Sequence, residues 1–274
     1  MNRNHRVVAA AAAAVGALVL AAGTAGAAST ADHPHHNRPT IVLVHGAWAD
    51  GSSWNSVTER LQHQGYTVKV PPNTLRGVAT DSANLKAYLK TIKGPIVLAG
   101  HSYGGVVISN AATGNKNVKS LVYIDAYIPD KGETVAQLTG AQPGSALNVP
   151  DPSTVFNTVP IPNGGGNVDL YVKPELFPKI FVAGINPNQA AVLAVSQRPL
   201  AASALNEPSG TPAWKSIPSW ALIGTADKVL PPAEQRFLTH RAHSHTVQVN
   251  APHLSMVAKP DAVTHVIDDA ARHS

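Results

Sequence analysis

The stretch Pro95-Ile96-Val97-Leu98-Ala99-Gly100-His101-Ser102-Tyr103-Gly104-Gly105 constrains this chain more than any other. The apolar run from Pro95 to Ala99 reads as a strand buried on both faces. Gly100-x-Ser102-x-Gly104 follows it, and a helix-like run continues from Tyr103 to about Ala112. The bare G-x-S-x-G pattern is common in a chain rich in glycine and serine. Set between a buried strand and a helix, it predicts a nucleophile elbow. In such a turn Ser102 sits on a sharp, strained bend that lifts its hydroxyl clear of the sheet. The positions two before and two after it are crowded, so Gly100 and Gly104 carry no side chain there, and Gly105 lets the helix start pack close. The backbone N–H of Tyr103, at a helix N-terminus, is then free to face a developing oxyanion.

The rest of the chain supplies a sheet around that strand. Thr40 to Val44 is a first apolar strand, ending in His45-Gly46-Ala47-Trp48. A helix runs from Gly51-Ser52-Ser53-Trp54 to about Gln64, with Trp54, Val57 and Leu61 at helical spacing and Gly65 as its stop. A short strand at Thr67 to Val70, a helix from about Thr80 to Ile92, the elbow strand and its helix, and a strand at Lys119 to Asp125 come next. From Pro129 to about Pro218 the rhythm breaks under Pro and Gly, with helix-like pieces near Pro174 to Val182 and Pro187 to Ser196. Strands resume at Ser219 to Ile223 and His245 to Val249, separated by a helix from Pro231-Pro232 to about Arg241. A last helix spans about Lys259 to Ala271. This alternation predicts a doubly wound, mostly parallel α/β sheet of about six strands, with an inserted lid of loops and short helices at 129–218. Ligands on such sheets bind outside the carboxyl ends of the strands.

The N-terminus reads as an export signal. Met1 to Arg6 is basic, Val7 to Ala22 is an Ala/Val/Leu run, and Thr24-Ala25-Gly26-Ala27 supplies a small-residue cleavage site. Residues 1–27 are therefore expected to be a signal peptide, 28–38 a polar leader, and 39–274 the folded domain. The expected location is extracellular, with no stable membrane insertion after cleavage, since no later segment is apolar enough to span a bilayer. The chain has no cysteine, which excludes thiol chemistry and disulfides. Its formal charge of +5 would fall by two with Arg3 and Arg6. No Lys/Arg run accompanies it, so nucleic acid is not an expected partner. Oligomeric state is not legible.

A serine hydroxyl needs a base, and the base needs an orienter. In an elbow fold these follow in the order Ser, Asp or Glu, His. Asp227, in Gly224-Thr225-Ala226-Asp227, and His253, in Ala251-Pro252-His253, each lie just past a strand and fit that order. Asp125, at the end of the fourth strand, is the alternative acid. His240, His243 and His245 are competitors for the base. His101 is expected to pack under the turn, and His45 to shape the loop after the first strand. The second oxyanion donor is expected from that loop, with Ala47 first and Trp48 second. Trp48 is also a candidate substrate contact. No Cys or carboxylate cluster accompanies the histidines, so no metal site is expected.

These residues resemble the α/β-hydrolase superfamily. The branch they are most similar to holds small carboxylesterases, pyrethroid-type ester hydrolases, plant methylesterases and hydroxynitrile lyases. The resemblance rests on Val42 to Trp48, Gly100 to Gly105, Pro218-Ser219-Trp220 through Asp227, and Ala251-Pro252-His253. Ser196-Gln197-Arg198-Pro199 and Pro212-Ala213-Trp214-Lys215 also resemble that branch. It implies Ser102 as nucleophile, Asp227 as acid, His253 as base and no cofactor. It implies a serine hydrolase acting on a small-molecule ester through an acyl-enzyme; the export signal, unusual for that branch, makes a secreted enzyme the expectation. Lactone or amide hydrolysis and a lyase reaction are the alternatives, and a non-catalytic binding protein on the same scaffold is a remoter one. Hydroxynitrile lyases of this branch have a threonine directly after the first strand. Here His45-Gly46 stands there, which argues against lyase chemistry.

Overall fold

A computed structural model of the protein describes residues 38–274. The expected signal peptide and all but the last residue of the leader lie outside the described residues. Arg38 stacks over the Tyr66 ring, its guanidinium carbon 5.2 Å from the ring centre.

The elements alternate strand and helix as the apolar periodicity requires. β1 (Thr40–Val44) is followed by a 3-10 turn at Gly51–Trp54 and α1 (Asn55–His63). Asp50 caps that turn, accepting the Ser52 N–H at 2.8 Å. Then come β2 (Val68–Lys69), α2 (Val78–Leu89), β3 (Ile96–His101), α3 (Tyr103–Ala111) and β4 (Val118–Ile124). The stretch that follows holds α4 (Val135–Gly140), β5 (Phe156–Pro160), β6 (Val168–Val172), α5 (Phe177–Ile180), α6 (Pro187–Val195) and β7 (Leu200–Ala201). β8 (Ser219–Gly224), α7 (Pro232–Arg241), β9 (His245–Val249), α8 (Ser255–Ala258) and α9 (Pro260–Arg272) complete the chain.

Six strands form one parallel sheet in the order β2-β1-β3-β4-β8-β9. The winding direction reverses between β1 and β3, so their carboxyl ends diverge into a crevice. The register sets those ends side by side. Val44 pairs with Gly100, His101 with Ile124, Ile124 with Leu222, and Gly224 with Val249. β3 and β8 are buried along their whole length. α2 packs on α3, and α1 on α9, which also lies against β3, β4 and β8. Helices on the two faces are what strands this apolar demand. Among the described residues no helix is long and apolar enough to cross a membrane.

The region 129–218 departs from the expectation of loops and short helices. It contains a three-stranded antiparallel sheet in the order β5-β6-β7, and a helix, α4, that sequence periodicity did not indicate. Ile161 to Asn167 close the β5–β6 hairpin, with the Ile161 N–H on the Asn167 carbonyl at 3.1 Å. Pro162 and Gly164 to Gly166, which looked like loop, are the turn of this hairpin. β5 buries only Phe156 of its five residues, so it lacks the in–out alternation that marks a half-buried strand.

Candidate active site

Ser102 occupies the bend between β3 and α3 with φ 52° and ψ −124°, a conformation costly for a residue with a side chain. Its N–H donates to the Ile124 carbonyl at 3.3 Å. The bend is crowded. A Cβ on Gly100 would sit 2.6 Å from the Gly104 carbonyl oxygen, and one on Gly104 would sit 2.6 Å from that of Val44. Only glycine lets these three backbones meet, which is the local reason the chain carries G-x-S-x-G here.

The strand ends bring Ser102, His253 and Asp227 together. The Ser102 Oγ lies 2.9 Å from His253 Nε2. His253 Nδ1 lies 2.7 Å from Asp227 Oδ2. All three side chains are buried. Asp227 is held by main-chain N–H donors from Val229 (2.7 Å) and Leu230 (3.0 Å) and by the Gln235 amide (2.8 Å). Burial raises its carboxyl well above the ordinary range, against the opposing pull of the two main-chain bonds and the Gln235 amide. Every neighbour is a donor, so the ionised carboxylate is the form that satisfies them. Nδ1 of His253 therefore carries the ring hydrogen and Nε2 accepts from the serine hydroxyl. Burial pushes the His253 imidazole down to about 3, which keeps the ring neutral.

Asp125 stands elsewhere. Its carboxylate accepts the Gly224 N–H at 2.7 Å and the Ser255 N–H at 3.3 Å, while the His253 ring meets Asp227. His240, His243 and His245 are exposed, and the His245 ring stacks on Trp220 with centres 4.9 Å apart.

The loop after β1 closes over Ser102. A Cβ on Gly46 would lie 2.7 Å from the Ser102 Cβ. The Trp48 N–H is taken by the Arg198 carbonyl at 3.0 Å, which leaves Ala47 as the donor candidate beside Ser102. His45 shapes this loop. Its Nε2 accepts the Asn73 N–H at 3.0 Å, so Nδ1 carries the hydrogen and donates to the Gly46 carbonyl at 2.9 Å. That bond turns the Gly46 carbonyl toward His45 and fixes the peptide whose other end is the Ala47 N–H. Tyr103 begins α3, so its N–H has no partner within the helix. Its hydroxyl donates to buried Asp81 at 2.8 Å.

A cavity of about 130 Å³ opens onto Ser102, Ala47, Trp48 and Tyr103. The rest of its wall is mostly apolar, with Val135, Leu147, Phe156, Leu200 and Leu205 contributed by region 129–218. Among the described residues, no Asp, Glu, Lys, Arg or His lines it. Trp48 stacks on Phe156, ring centres 5.4 Å apart, and its indole N–H donates to the Leu170 carbonyl at 2.7 Å.

Two supporting residues, Gln235 and Phe181, escaped the sequence reading, and a third, His101, packs under the turn as expected but also holds the His253 main chain. Gln235 bridges Asp227 and the Leu230 carbonyl. Phe181 sets its ring edge-on to His253 at 5.4 Å, and its carbonyl accepts the Leu254 N–H at 3.0 Å. His101, beneath the elbow, donates from Nε2 to the His253 carbonyl at 2.9 Å. The adjacency of His101 to Ser102 was the one available signal. Gln235 and Phe181 gave none, because they reach the site only through folding.

The chain is similar to several known proteins. The carbendazim hydrolyzing esterase of Nocardioides sp. is 29% identical over 151 residues, covering 43% of this chain. The chain spans 62% of that relative's length. The pyrethroid hydrolase of Sphingobium wenxiniae is 25% identical over 250 residues, covering 84% of this chain and 87% of the relative. An extracellular alpha/beta-hydrolase from a Paenibacillus species, described as sharing structural and functional homology with tobacco salicylic acid binding protein 2, superposes with a TM-score of 0.71. That match is 22% identical and covers 85% of this chain and 99% of the other, so it speaks for the fold. The model of the alpha/beta hydrolase family matches residues 41–266. The chain belongs to the alpha/beta hydrolase family.

Proposed function

We propose that this protein is a serine hydrolase that cleaves small carboxylic esters, with Ser102, His253 and Asp227 as its catalytic triad. The observation that carries this reading is the continuous chain from Ser102 Oγ to His253 Nε2 (2.9 Å) and from His253 Nδ1 to Asp227 (2.7 Å) beside an apolar cavity. His253 takes the hydroxyl proton as Ser102 attacks the ester carbonyl. The N–H groups of Tyr103 and Ala47 receive the oxyanion. Asp227 stabilises the imidazolium, which then protonates the departing alcohol. Water, activated by the same histidine, releases the acid from the acyl-enzyme. The two relatives named as an esterase and a pyrethroid hydrolase support the ester as substrate class.

The cavity narrows the choice. At about 130 Å³ it is close to the size of a protein cavity of about 150 Å³ that holds benzene. A short acyl chain or a single ring fits, and an uncharged wall disfavours a charged group. Region 129–218 acts as the cover of this pocket, and the N-terminal segment directs export.

The test is hydrolysis of a chain-length series of p-nitrophenyl esters beside Ser102→Ala. Turnover of the short esters, lost by several orders of magnitude in the variant, is the expected result. Unchanged turnover in Ser102→Ala would falsify the reading.

A further inference from the structure

Asp125 is a buried ionisable group for which the proposed mechanism has no use. It is fully buried, and its backbone is held at φ 46°, in the left-handed region that few residues with side chains adopt. Such strain persists where the surroundings fix it, and clusters near functional sites. Its two oxygens are divided between two loops. Oδ1 accepts the N–H of Gly224, three residues before Asp227. Oδ2 accepts the N–H of Ser255, two residues after His253. The junction is tight, since a Cβ on Gly224 would lie 2.8 Å from Asp125 Oδ1 and 2.7 Å from the Ala251 carbonyl oxygen. The neighbouring Ile124 carbonyl takes the Ser102 N–H at 3.3 Å. The end of β4 therefore touches all three loops that carry the triad.

We propose that Asp125 is a positioning residue that clamps the Asp227 loop to the His253 loop and places a second carboxylate behind the acid. The inference rests on the triad assignment above. Both contacts are N–H donors, and a carboxylate satisfies both where an amide offers one oxygen and one N–H group. Burial, and then Asp227, push its carboxyl well above the ordinary range, and the hydrogen bonds from Ser255 and Gly224 pull the other way. A negative group here favours the imidazolium that forms on His253 in the transition state. The titratable groups around His253 are Asp227 from the β8 loop, Asp125 from β4, His101 from β3 and, beyond it, His45 from β1. The histidines are held below their ordinary range by burial.

Asp125→Asn keeps the shape and one acceptor. It is expected to lower kcat roughly tenfold with KM within about twofold, because the loss lies in alignment and not in substrate contact. Removing the charge should also move the acid limb of kcat/KM to lower pH by about half a unit. A purely structural role would change the melting temperature and leave that limb in place. Ser255→Pro is the second variant. It deletes the N–H given to Oδ2, together with the buried Ser255 hydroxyl, at the first position of α8, where proline is tolerated. It is expected to lower kcat several-fold. A pH profile for Asp125→Asn that superimposes on the parent's, or parent-like kcat in Ser255→Pro, overturns the clamp while Ser102→Ala remains inactive. Full turnover in Ser102→Ala overturns the triad assignment and the clamp with it.

Discussion

The indole N–H of Trp48 donates to the main-chain carbonyl of Leu170 at 2.7 Å, tying the loop after β1 to the small antiparallel sheet of region 129–218. The main-chain N–H of the same residue reaches Arg198 at 3.0 Å. Two bonds thus fasten the loop that bears Ala47 to the segment that walls the cavity. Trp48 has φ 57°, so it holds its place against local preference.

Trp48→Phe keeps a ring against Phe156 and deletes the indole donor. The buried Leu170 carbonyl then lacks its partner, which costs about 1–2 kcal/mol. A matching fall in urea stability is expected, with kcat reduced because Ala47 is no longer fixed. Equilibrium unfolding and ester kinetics on one preparation check both. An unchanged midpoint would mean that the bond contributes nothing.

The pH profile follows from the burial of His253. Its imidazole lies below the ordinary value of 6.5. The neutral ring is the active base, so activity is lost only as pH falls through the lowered value. We expect kcat/KM to stay level as pH drops past 6.5 and to decline only below it. Initial rates between acidic and mildly alkaline pH, read with an ester whose leaving group does not titrate, test this. A midpoint at or above 6.5 would contradict it.

Gln235→Leu removes the amide that bridges Asp227 and Leu230. The leucine fills a similar volume, so the fold should persist. Asp227 loses one of the donors that aim it at His253, and kcat is expected to fall about tenfold. A fluorophosphonate should still label Ser102, more slowly. Parent-like kcat would show that the main-chain donors alone orient the acid.

Gly104→Ala tests the crowding of the elbow. The new methyl would meet the Val44 carbonyl oxygen at 2.6 Å, and backbone, not a flexible side chain, must give way. Destabilisation of about 3 kcal/mol is expected. Gly114→Ala, whose added methyl meets nothing within 4 Å, is the comparison for backbone strain alone, since its φ is 77°. Similar melting temperatures for the two variants would remove the crowding argument.

Much of the architecture was legible in the sequence. The apolar strands at 40–44, 96–101, 118–124 and 219–224 are continuous because both faces are buried, and such runs stand out in any chain. Their ends, with that of the exposed strand 245–249, supplied Ser102, Asp227 and His253 in the order an elbow fold uses. Strand limits shifted by a residue or two, since Gly100 and His101 still pair with β4. The antiparallel sheet in 129–218 was not legible. Its strands are short and mostly exposed, and its hairpin is built from the Pro and Gly residues that elsewhere signal loop.

Sequence by itself determined the parallel α/β fold, the strained serine turn and the residue types at each strand end. These are local properties, set by hydrophobic period, by glycine and by position along the chain. Tertiary structure alone decided which acid meets His253, that Trp48 spends its N–H groups on region 129–218, and that Asp125 joins two loops 31 residues apart, at Gly224 and Ser255. Asp125 and Asp227 both follow strands and both are buried carboxyls. Only strand order and register in space, which no local pattern encodes, determine which of the two faces the imidazole.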